Sequence, residues 1–595
     1  MKKINITIII MLLFVVQSSC LAQVAKDSGV HIYHGGNIIT MEGDTPKYVE
    51  TVVTENGIIK FVGKLKKAQK KFKNAKTNDL KGKTLLPGFI GPHLHFGGLG
   101  AQAVGANLLA EPDGNVNDID SLIVTLKEWS KGDYAKKNGW IYGMGYDNAV
   151  LKEQRHPTKF DLDKISKTIP IVVVHISGHI AAMNSIALEK SGINAESKNP
   201  AGGIIRRVKG SQEPNGVLEE LAAIPLYMKI ITPKTEEDQT YFLDKAQDMA
   251  MSFGFTTIQE GRAYGDTHDN LVRYAKTKGF KIDVASYLDY SMTDESVSGF
   301  SCAAGQASFH TDEHGVKDYS KLQSPWANGS YTNGYRVAGL KVTLDGSPQG
   351  QTAWSKMPYK LAPPGQNKGY KGYPAIPNDK EVEGLYELAF KNNWQVLTHT
   401  NGDAAIDQMI RTMKVAAKKY GNKDRRNVLI HGVFLQKEQY AGLKDLDIIP
   451  SMFTMHTFYW GDWYKKIIGR ERAQKIVPAK SLIDDGFNIT IHTDAPVALP
   501  NLMQAVWTSV NRVSRSGTVM NPSERISPYQ ALKAITIWSA YQYFEEDKKG
   551  SLKVGKLADM VILSENPLTI DPMEINKIKV LETIKKGKSI YKLNK

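Results

Sequence analysis

Residues 84–96 read Thr-Leu-Leu-Pro-Gly-Phe-Ile-Gly-Pro-His-Leu-His-Phe, an apolar run that ends on two histidines separated by one residue. In a β-strand, residues i and i+2 point to the same side, so the imidazoles of His93 and His95 can converge on one ion while Leu94 points away. A single His-x-His pair also arises by chance. The pair therefore predicts a metal-binding strand end only if the rest of the chain supplies further ligands.

The composition of the 595-residue chain is that of an ordinary globular protein, with 42% hydrophobic and 23% charged residues. This balance excludes a disordered or collagen-like chain, and the length exceeds one ordinary domain unless a barrel with insertions absorbs it. The net charge of +15 raises the question of nucleic-acid binding. However, the basic residues are scattered except at 64–73, where no nucleic-acid motif lies beside them, so no nucleic-acid partner is expected.

The N-terminal segment is typical of a signal peptide. A basic start is followed by a short apolar stretch and by small residues that suit cleavage after Ala22, so residues 1–22 are predicted to be removed from an exported, periplasmic or secreted protein. A lipoprotein anchored through Cys20 is the less favoured alternative, because Gln17 stands where such signals usually have an aliphatic residue. The apolar stretch is short for a transmembrane helix, so no stable membrane anchor is expected after processing. Cys302 is then left without a disulfide partner.

Both ends of the chain contain short strand-like runs, at 30–62 and 558–591. Neither end has enough strands to bury a core alone, so we expect one small β-sandwich assembled from residues 23–85 and 549–595. The middle, residues 86–548, alternates short apolar runs with longer helical patterns, as a parallel βα architecture requires. The stretch from about 97 to 235 is too long for one βα unit and predicts an inserted subdomain.

The predicted fold class is α/β, a (β/α)8 barrel of the TIM type. Its candidate strands share an apolar run that ends on, or leads into, a polar residue, and they lie at 84–90, 171–175, 256–260, 282–287, 337–344, 394–399, 428–431 and 487–492. In such a barrel the active site lies at the carboxyl ends of the strands. An open doubly wound sheet is the alternative, but no glycine-rich dinucleotide fingerprint follows an early strand.

Several strand ends supply further candidate ligands, namely Lys341, His399, His431 and Asp494. Each would be ordinary alone: a buried histidine satisfied by the core, a lysine that reaches the surface, or an aspartate that caps a helix. Because they recur in strand after strand and are residue types found around borderline metal ions, they are better interpreted as ligands of a shared metal site.

At this point the chain resembles the amidohydrolase superfamily, in the branch of YtcJ-like proteins and N-substituted formamide deformylases (amidohydrolase family 3). The resemblance runs from about Val30 to the C-terminus. The residues that support it are 86–95, Ser177-Gly-His179, Gly216-Val-Leu218, Leu344-Asp-Gly-Ser347, His399, Asn401-Gly-Asp403, His431, Asp462-Trp463, Asp494-Ala-Pro496 and 555–563. Gly91 stands where many members have Asp, and His492 stands where relatives often have Gly. His492 either enters the site or packs behind it.

The resemblance implies a site with one or two divalent ions, zinc being the expected metal. His93 and His95 would bind the first ion, His399 and His431 would bind a second or complete the first, and Asp494 would be both ligand and general base. Lys341 matches a lysine that can carry a carbamate and bridge two ions. An unmodified ammonium has no lone pair for a cation, so this role requires carboxylation or deprotonation.

The implied reaction is hydrolysis of a C–N bond in a small molecule, an N-substituted formamide or N-acyl compound, by metal-activated water. Alternatives are a cyclic amidase or an esterase on the same scaffold, or a binding protein without activity. His179, His456 and Trp463 are candidate substrate-facing residues. Arg206 could bind a carboxylate, although an exposed loop arginine is the more common case. A homodimer is left open.

Overall fold

A computed structural model of the protein describes residues 29–148, 150–176, 178, 180–200, 203–290, 330–363 and 366–594. The predicted signal peptide with Cys20, as well as His179 and Cys302, lies outside the described residues. Within those ranges, every helix is too short or too polar to cross a bilayer.

The strands of the described residues form three sheets. In chain order they are β1 (Val30–Ile39), β2 (Tyr48–Glu55), β3 (Ile58–Gly63), β4 (Lys76–Asp79), β5 (Thr84–Pro87), β6 (Phe89–Ile90), β7 (Ala106–Asn107), β8 (Ile141–Tyr146), β9 (Ile171–His175), β10 (Ile180–Met183), β11 (Gly203–Arg207), β12 (Pro214–Glu220), β13 (Phe255–Ala263), β14 (Asp283–Asp289), β15 (Tyr335–Thr343), β16 (Gln395–Thr400), β17 (Val428–His431), β18 (Ile449–Met452), β19 (Thr490–Ile491), β20 (Met560–Leu563), β21 (Val580–Lys585) and β22 (Lys588–Lys592).

The helices follow the strands and cover them. They are α1 (Leu65–Lys71), α2 (Phe96–Val104), α3 (Ile119–Trp129), α4 (Asp133–Asn138), α5 (Lys159–Leu162), α6 (Ser185–Lys190), α7 (Ile224–Ile231), α8 (Glu236–Ser252), α9 (Gly265–Thr277), α10 (Asp379–Lys391), α11 (Asp403–Tyr420), α12 (Tyr440–Asp445), α13 (His456–Tyr459), α14 (Gly461–Ile467), α15 (Arg470–Ala473), α16 (Ala479–Asp484), α17 (Leu502–Asn511), α18 (Pro528–Ala534) and α19 (Ile537–Gln542). Short 3-10 turns lie at Lys437–Gln439, Pro522–Glu524 and Pro572–Lys577.

The central sheet has eight parallel strands in the order β19-β18-β17-β16-β15-β14-β13-β6. Its two ends meet just beyond the outer strands, where His95 N donates to Ala495 O at 2.8 Å and Asp494 N donates to His93 O at 3.3 Å. The sheet is therefore curled into a TIM-like barrel, which confirms the predicted fold class. Because all strands are parallel, their carboxyl ends lie at one mouth.

Two of the predicted barrel strands need correction. Ile171–His175 is β9 of another sheet, and the barrel instead contains β18 (Ile449–Met452), which was not predicted from the sequence. Both runs are buried, but β9 is a continuous β-branched run, whereas β18 contains Pro450 and Ser451 and lacks the strand composition. The run at 84–90 is also two strands: β5 belongs to the terminal β-domain and β6 to the barrel.

A six-stranded sheet stands between β6 and β13 in the chain, with the order β11-β12-β10-β9-β8-β7. Its far loop reaches the barrel mouth, because Asp113 accepts a hydrogen bond from Tyr459, which follows β18. The helices α2 and α8, which precede and follow the insertion in the chain, pack along each other. This inserted sheet thus lies beside the strand ends where the candidate ligands are.

Residues from both termini form a separate β-domain. Its single sheet has the order β22-β21-β20-β5-β1-β2-β3, and β4 pairs with β1. The N-terminal strand β5 is joined to the C-terminal strand β20 by antiparallel pairing. A buried ion cluster connects this domain to the barrel: Asp283 of β14 accepts from Lys549 and from Lys585 of β21, both at 2.6 Å. The expectation of one β-domain built from both termini is therefore confirmed.

Candidate metal centre

Closure of the barrel brings His93, His95 and Asp494 together, although about 400 residues separate the pair from the aspartate. The Nε2 atoms of both histidines lie 3.3 Å from Asp494 Oδ1. One ligand atom from each of the three residues lies within 4.8 Å of the others. This is the most compact group of metal-ligating side chains in the part of the chain that the structure describes.

The donors of this group fit a divalent ion. Two imidazole nitrogens and a carboxylate oxygen suit zinc and related metals. Asp494 Oδ1 is buried and makes no hydrogen bond to a described residue. Burial alone would raise the pKa of Asp494, but the adjacent imidazoles of His431, His93 and His95 hold that pKa well below its usual range. Burial and the nearby Lys341 ammonium lower the pKa of His93 to about 3, which leaves a neutral imidazole able to bind a cation.

Two residues of β13 orient the histidines. Gln259 donates through Nε2 to Pro92 O at 2.6 Å, so its Oε1 must face His93 Nδ1, which lies 2.6 Å away. His93 Nδ1 therefore has the proton, and the Nε2 lone pair points toward Asp494. Glu260 Oε1 lies 3.7 Å from His95 Nδ1, and Glu260 Oε2 accepts from Gly97 N at 2.7 Å. The sequence pattern predicted a strand that ends at Glu260 but indicated no role for Gln259 or Glu260.

His431 lies beside the compact group, with Nε2 at 3.9 Å from Asp494 Oδ2. Its Nδ1 is 3.1 Å from His492 Nε2, and His492 Nδ1 is 3.0 Å from Ser451 Oγ. His492 thus packs behind His431 as a buried support, which answers the question left by the sequence. His431 (φ 77°) and Asp494 (φ 53°) both have left-handed backbone conformations, which non-glycine residues rarely adopt and which concentrate at functional sites.

His399 extends the cluster to the next strand. Its ring centroid is 4.6 Å from that of His431, and its Nδ1 lies 3.4 Å from Asp345 Oδ1. Asp345 is fixed by backbone donors, Asn401 N at 2.9 Å and Gly402 N at 2.7 Å. Asp345 therefore lies beside His399 as Glu260 lies beside His95, within ion-pair distance. The motif Asp-Gly-Ser was noticed in the sequence, but the position of its aspartate beside His399 was not predicted.

Lys341 of β15 points into the same cluster. Its Nζ lies 3.4 Å from His93 Nε2, and the side chain is buried. Burial lowers the pKa of Lys341 to about 7. Because an ammonium at this position would oppose a nearby cation, the neutral amine or a derivative of it is the form compatible with a bound metal.

The two described candidate substrate-facing residues differ in burial. His456 is buried against Phe453 (ring centroids 4.6 Å apart) and Tyr464, and burial lowers its pKa to about 3. Trp463 is about one-third exposed, and its Nε1 donates to Gln349 O at 3.0 Å. His179 is not among the described residues. Contact of these three with a substrate stays a prediction.

We expect Gln259→Leu to weaken metal binding by about 10- to 100-fold, the usual effect of removing a residue that orients a ligand. The leucine cannot accept a hydrogen bond from His93 Nδ1, so the ring loses its fixed tautomer. The measurement is a competitive zinc titration against a chromogenic chelator. Gln247→Leu is the matched control, since Gln247 is also a buried glutamine but bonds to Tyr274 OH (2.8 Å) between outer helices. Equal affinities in wild type and Gln259→Leu would contradict the assigned orientation.

The chain is similar to known proteins over most of its length. The amidohydrolase family profile matches residues 76–591. YtcJ of Bacillus subtilis (strain 168), a proposed amidohydrolase, is 26% identical, covering 94% of this chain and 99% of its own. The N-substituted formamide deformylase of Arthrobacter pascens is 24% identical over 86% of this chain and 89% of its own. An uncharacterized metal-dependent hydrolase from Pyrococcus horikoshii shares the fold, with a TM-score of 0.67 and 22% identity over 91% of this chain and 99% of its own.

Proposed function

The chain belongs to the amidohydrolase family, and from this premise we propose that it is an exported, zinc-dependent hydrolase that cleaves the C–N bond of an N-substituted formamide or N-acyl compound. The observation that carries the proposal is the convergence of His93, His95 and Asp494 at the barrel mouth. The name of the Arthrobacter relative supports the formamide class. Export rests on the signal-like N-terminal segment alone.

In this proposal His93, His95 and Asp494 hold the first ion, and His431 with His399 completes its site or binds a second ion. A bound divalent ion lowers the pKa of water from about 15.7 to roughly 7, which supplies a nucleophile at neutral pH. The low pKa of Asp494 keeps its carboxylate ionised and therefore able to bind a cation. Gln259 and Glu260 keep the imidazole lone pairs directed at the centre.

Asp494 performs both proton transfers. Its carboxylate orients the attacking water and accepts the proton released as the water oxygen adds to the carbonyl carbon. The protonated Asp494 then donates to the nitrogen as the C–N bond breaks, so the amine leaves neutral and the carboxylate is restored. The outcome is one carboxylic acid and one amine for each water consumed.

Lys341 has a separate proposed role as a carbamate. Formation of a carbamate requires a neutral amine, and a pKa of about 7 makes that form available at neutral pH. We expect incubation with bicarbonate and Zn²⁺ to raise the bound zinc per chain in the wild type but not in Lys341→Arg. Metal analysis measures the effect, and the buried Lys549→Arg is the matched control. Identical zinc contents with and without bicarbonate in the wild type would exclude the carbamate.

A substrate panel tests the proposed function directly. The purified protein is assayed with N-formyl, N-acyl, cyclic-amide and ester compounds before metal removal, after treatment with a chelator, and after reloading with Zn²⁺. We expect hydrolysis of the N-formyl or N-acyl compounds, its loss with the chelator and its return with Zn²⁺. Activity confined to esters or cyclic amides would contradict the proposed bond class. A metal-loaded protein that hydrolyses nothing in the panel would favour a binding protein.

A further inference from the structure

Arg262 stands at the barrel mouth directly beside the candidate metal centre. It is two residues beyond Glu260 on β13, and the pairing of β13 with β14 shifts register between Glu260 and Ala263. Such an irregularity redirects a side chain at a strand end. The intervening Gly261 lies against His93, since a Cβ on Gly261 would stand 2.5 Å from His93 Cε1. Arg262 therefore directly follows a glycine that contacts His93, one of the candidate metal ligands.

Among the described residues, the guanidinium of Arg262 has one hydrogen-bond partner, Asp289. Its Nε donates to Asp289 Oδ2 at 2.5 Å, and the Asp289 side chain is fully buried. Its plane is supported by the Tyr264 ring, whose centroid is 5.2 Å from Arg262 Cζ. The Arg262 side chain remains 33% exposed. Its terminal amino groups make no hydrogen bond to a described residue.

An arginine fixed through Nε and supported by an aromatic ring presents its two terminal amino groups as a preorganised fork. This fork matches the two oxygens of a carboxylate and binds them with parallel charge-assisted hydrogen bonds. The guanidinium remains cationic, because the Asp289 carboxylate outweighs the effect of burial and raises the pKa of Arg262. By contrast, Arg206, the arginine considered from the sequence, pairs with Glu219 in the inserted sheet.

We propose that Arg262 is the anion-binding subsite of this active site and that the substrate is an amide that bears a carboxylate near its scissile bond. The inference rests on the proposed function and deepens it by naming the substrate class. The carboxylate sits on the β13–β14 side of the mouth, with the amide carbonyl toward His93 and Asp494. Asp289 is then the positioning residue that holds Arg262.

The test uses two ligands that differ in the carboxylate alone, N-formylphenylalanine and N-formylphenethylamine. Binding is measured by calorimetry in zinc-loaded Asp494→Asn protein, so that turnover does not interfere. Three forms of this protein are compared: Arg262 intact, Arg262→Gln and Arg262→Lys. Arg411→Gln removes a similar Arg–Asp pair, with Asp379, on the outer helices and is the matched control. Hydrolysis of both compounds is measured in parallel with Asp494 restored.

We expect tighter binding of the carboxylate ligand, by about 10-fold or more, from the added charged hydrogen bonds. Arg262→Gln should make the affinities for the two ligands equal. Arg262→Lys should retain part of the preference for the carboxylate ligand, because the charge stays while the fork is lost. Arg411→Gln should leave the preference unchanged. Equal binding of the two ligands when Arg262 is present would overturn the proposal. So would an equal loss for both ligands in Arg262→Gln, which would indicate that Arg262 only supports the strand end.

The two proposals fail in distinguishable ways. If Arg262 determines the carboxylate preference in binding but neither compound is hydrolysed, the subsite stands and the hydrolase function fails. If both compounds are hydrolysed with equal kcat/KM, the hydrolase function stands and the anionic subsite is wrong.

Discussion

Asp494→Asn is expected to lower kcat by about 10²- to 10⁴-fold, the range associated with loss of a general acid–base group. Asparagine keeps the shape of the side chain and one neutral oxygen donor near His93 and His95. It cannot accept the proton of the attacking water or return a proton to the leaving nitrogen. The fold and much of the metal content should therefore be preserved while turnover is lost.

The measurement combines kcat on an N-formyl compound with the zinc content of the same preparation. Asp379→Asn is the control, because it removes a carboxylate that pairs with Arg411 on the outer helices at 2.6 Å. If Asp494→Asn retains full metal and near-wild-type turnover, Asp494 is not the base. If turnover falls only in proportion to lost zinc, Asp494 acts as a ligand alone.

The double variant His93→Ala with His95→Ala should remove metal from the protein. It deletes two of the three side chains whose ligand atoms lie within 4.8 Å of one another. A ligand that binds only the folded state at a thousandfold excess over its Kd stabilises that state by about 4 kcal/mol. In the wild type, Zn²⁺ should therefore raise the thermal unfolding temperature. In the double variant, Zn²⁺ should leave that temperature unchanged.

Metal analysis and thermal unfolding with and without Zn²⁺ measure this effect. His31→Ala with His34→Ala is the matched control, since both of these histidines lie on β1 of the terminal β-domain, away from the barrel mouth. Unchanged zinc content in the His93/His95 double variant would show that these imidazoles do not hold the ion. A loss of zinc in the β1 control as well would point to general unfolding rather than to loss of ligands.

The sequence predicted the barrel because its signal is local. Apolar runs that end on polar residues recur along the chain, and six of the candidate barrel runs coincide with β13–β17 and β19 to within a few residues. The errors occurred where local composition misleads. The β-branched run Ile171–His175 forms an equally good strand in the inserted sheet, whereas Ile449–Met452 is a barrel strand despite its proline.

The histidines of the candidate site were predicted from the sequence, whereas the polar residues around them were not. Histidine is a rare residue and here stands at the ends of apolar runs, so His93, His95, His399 and His431 could be selected from the sequence as candidate ligands. Gln259, Asp345 and Arg262 belong to common polar types, and their roles depend on partners more than 25 residues away in the chain, such as Asp289 for Arg262. No local pattern indicates these roles, although Asp345 lies in the Asp-Gly-Ser motif that supported the family resemblance.

The sequence by itself determined the strand-end histidines, the parallel barrel architecture and the assembly of one β-domain from both termini, because these depend on periodicity and residue type along the chain. Only the tertiary structure decided which donors meet. Closure of the barrel brings Asp494 to the His93–His95 pair, places His492 behind His431 and leaves Arg262 with its fork free of described partners. These contacts form because strands that are far apart in the chain end at the same mouth of the barrel. No short stretch of sequence specifies them.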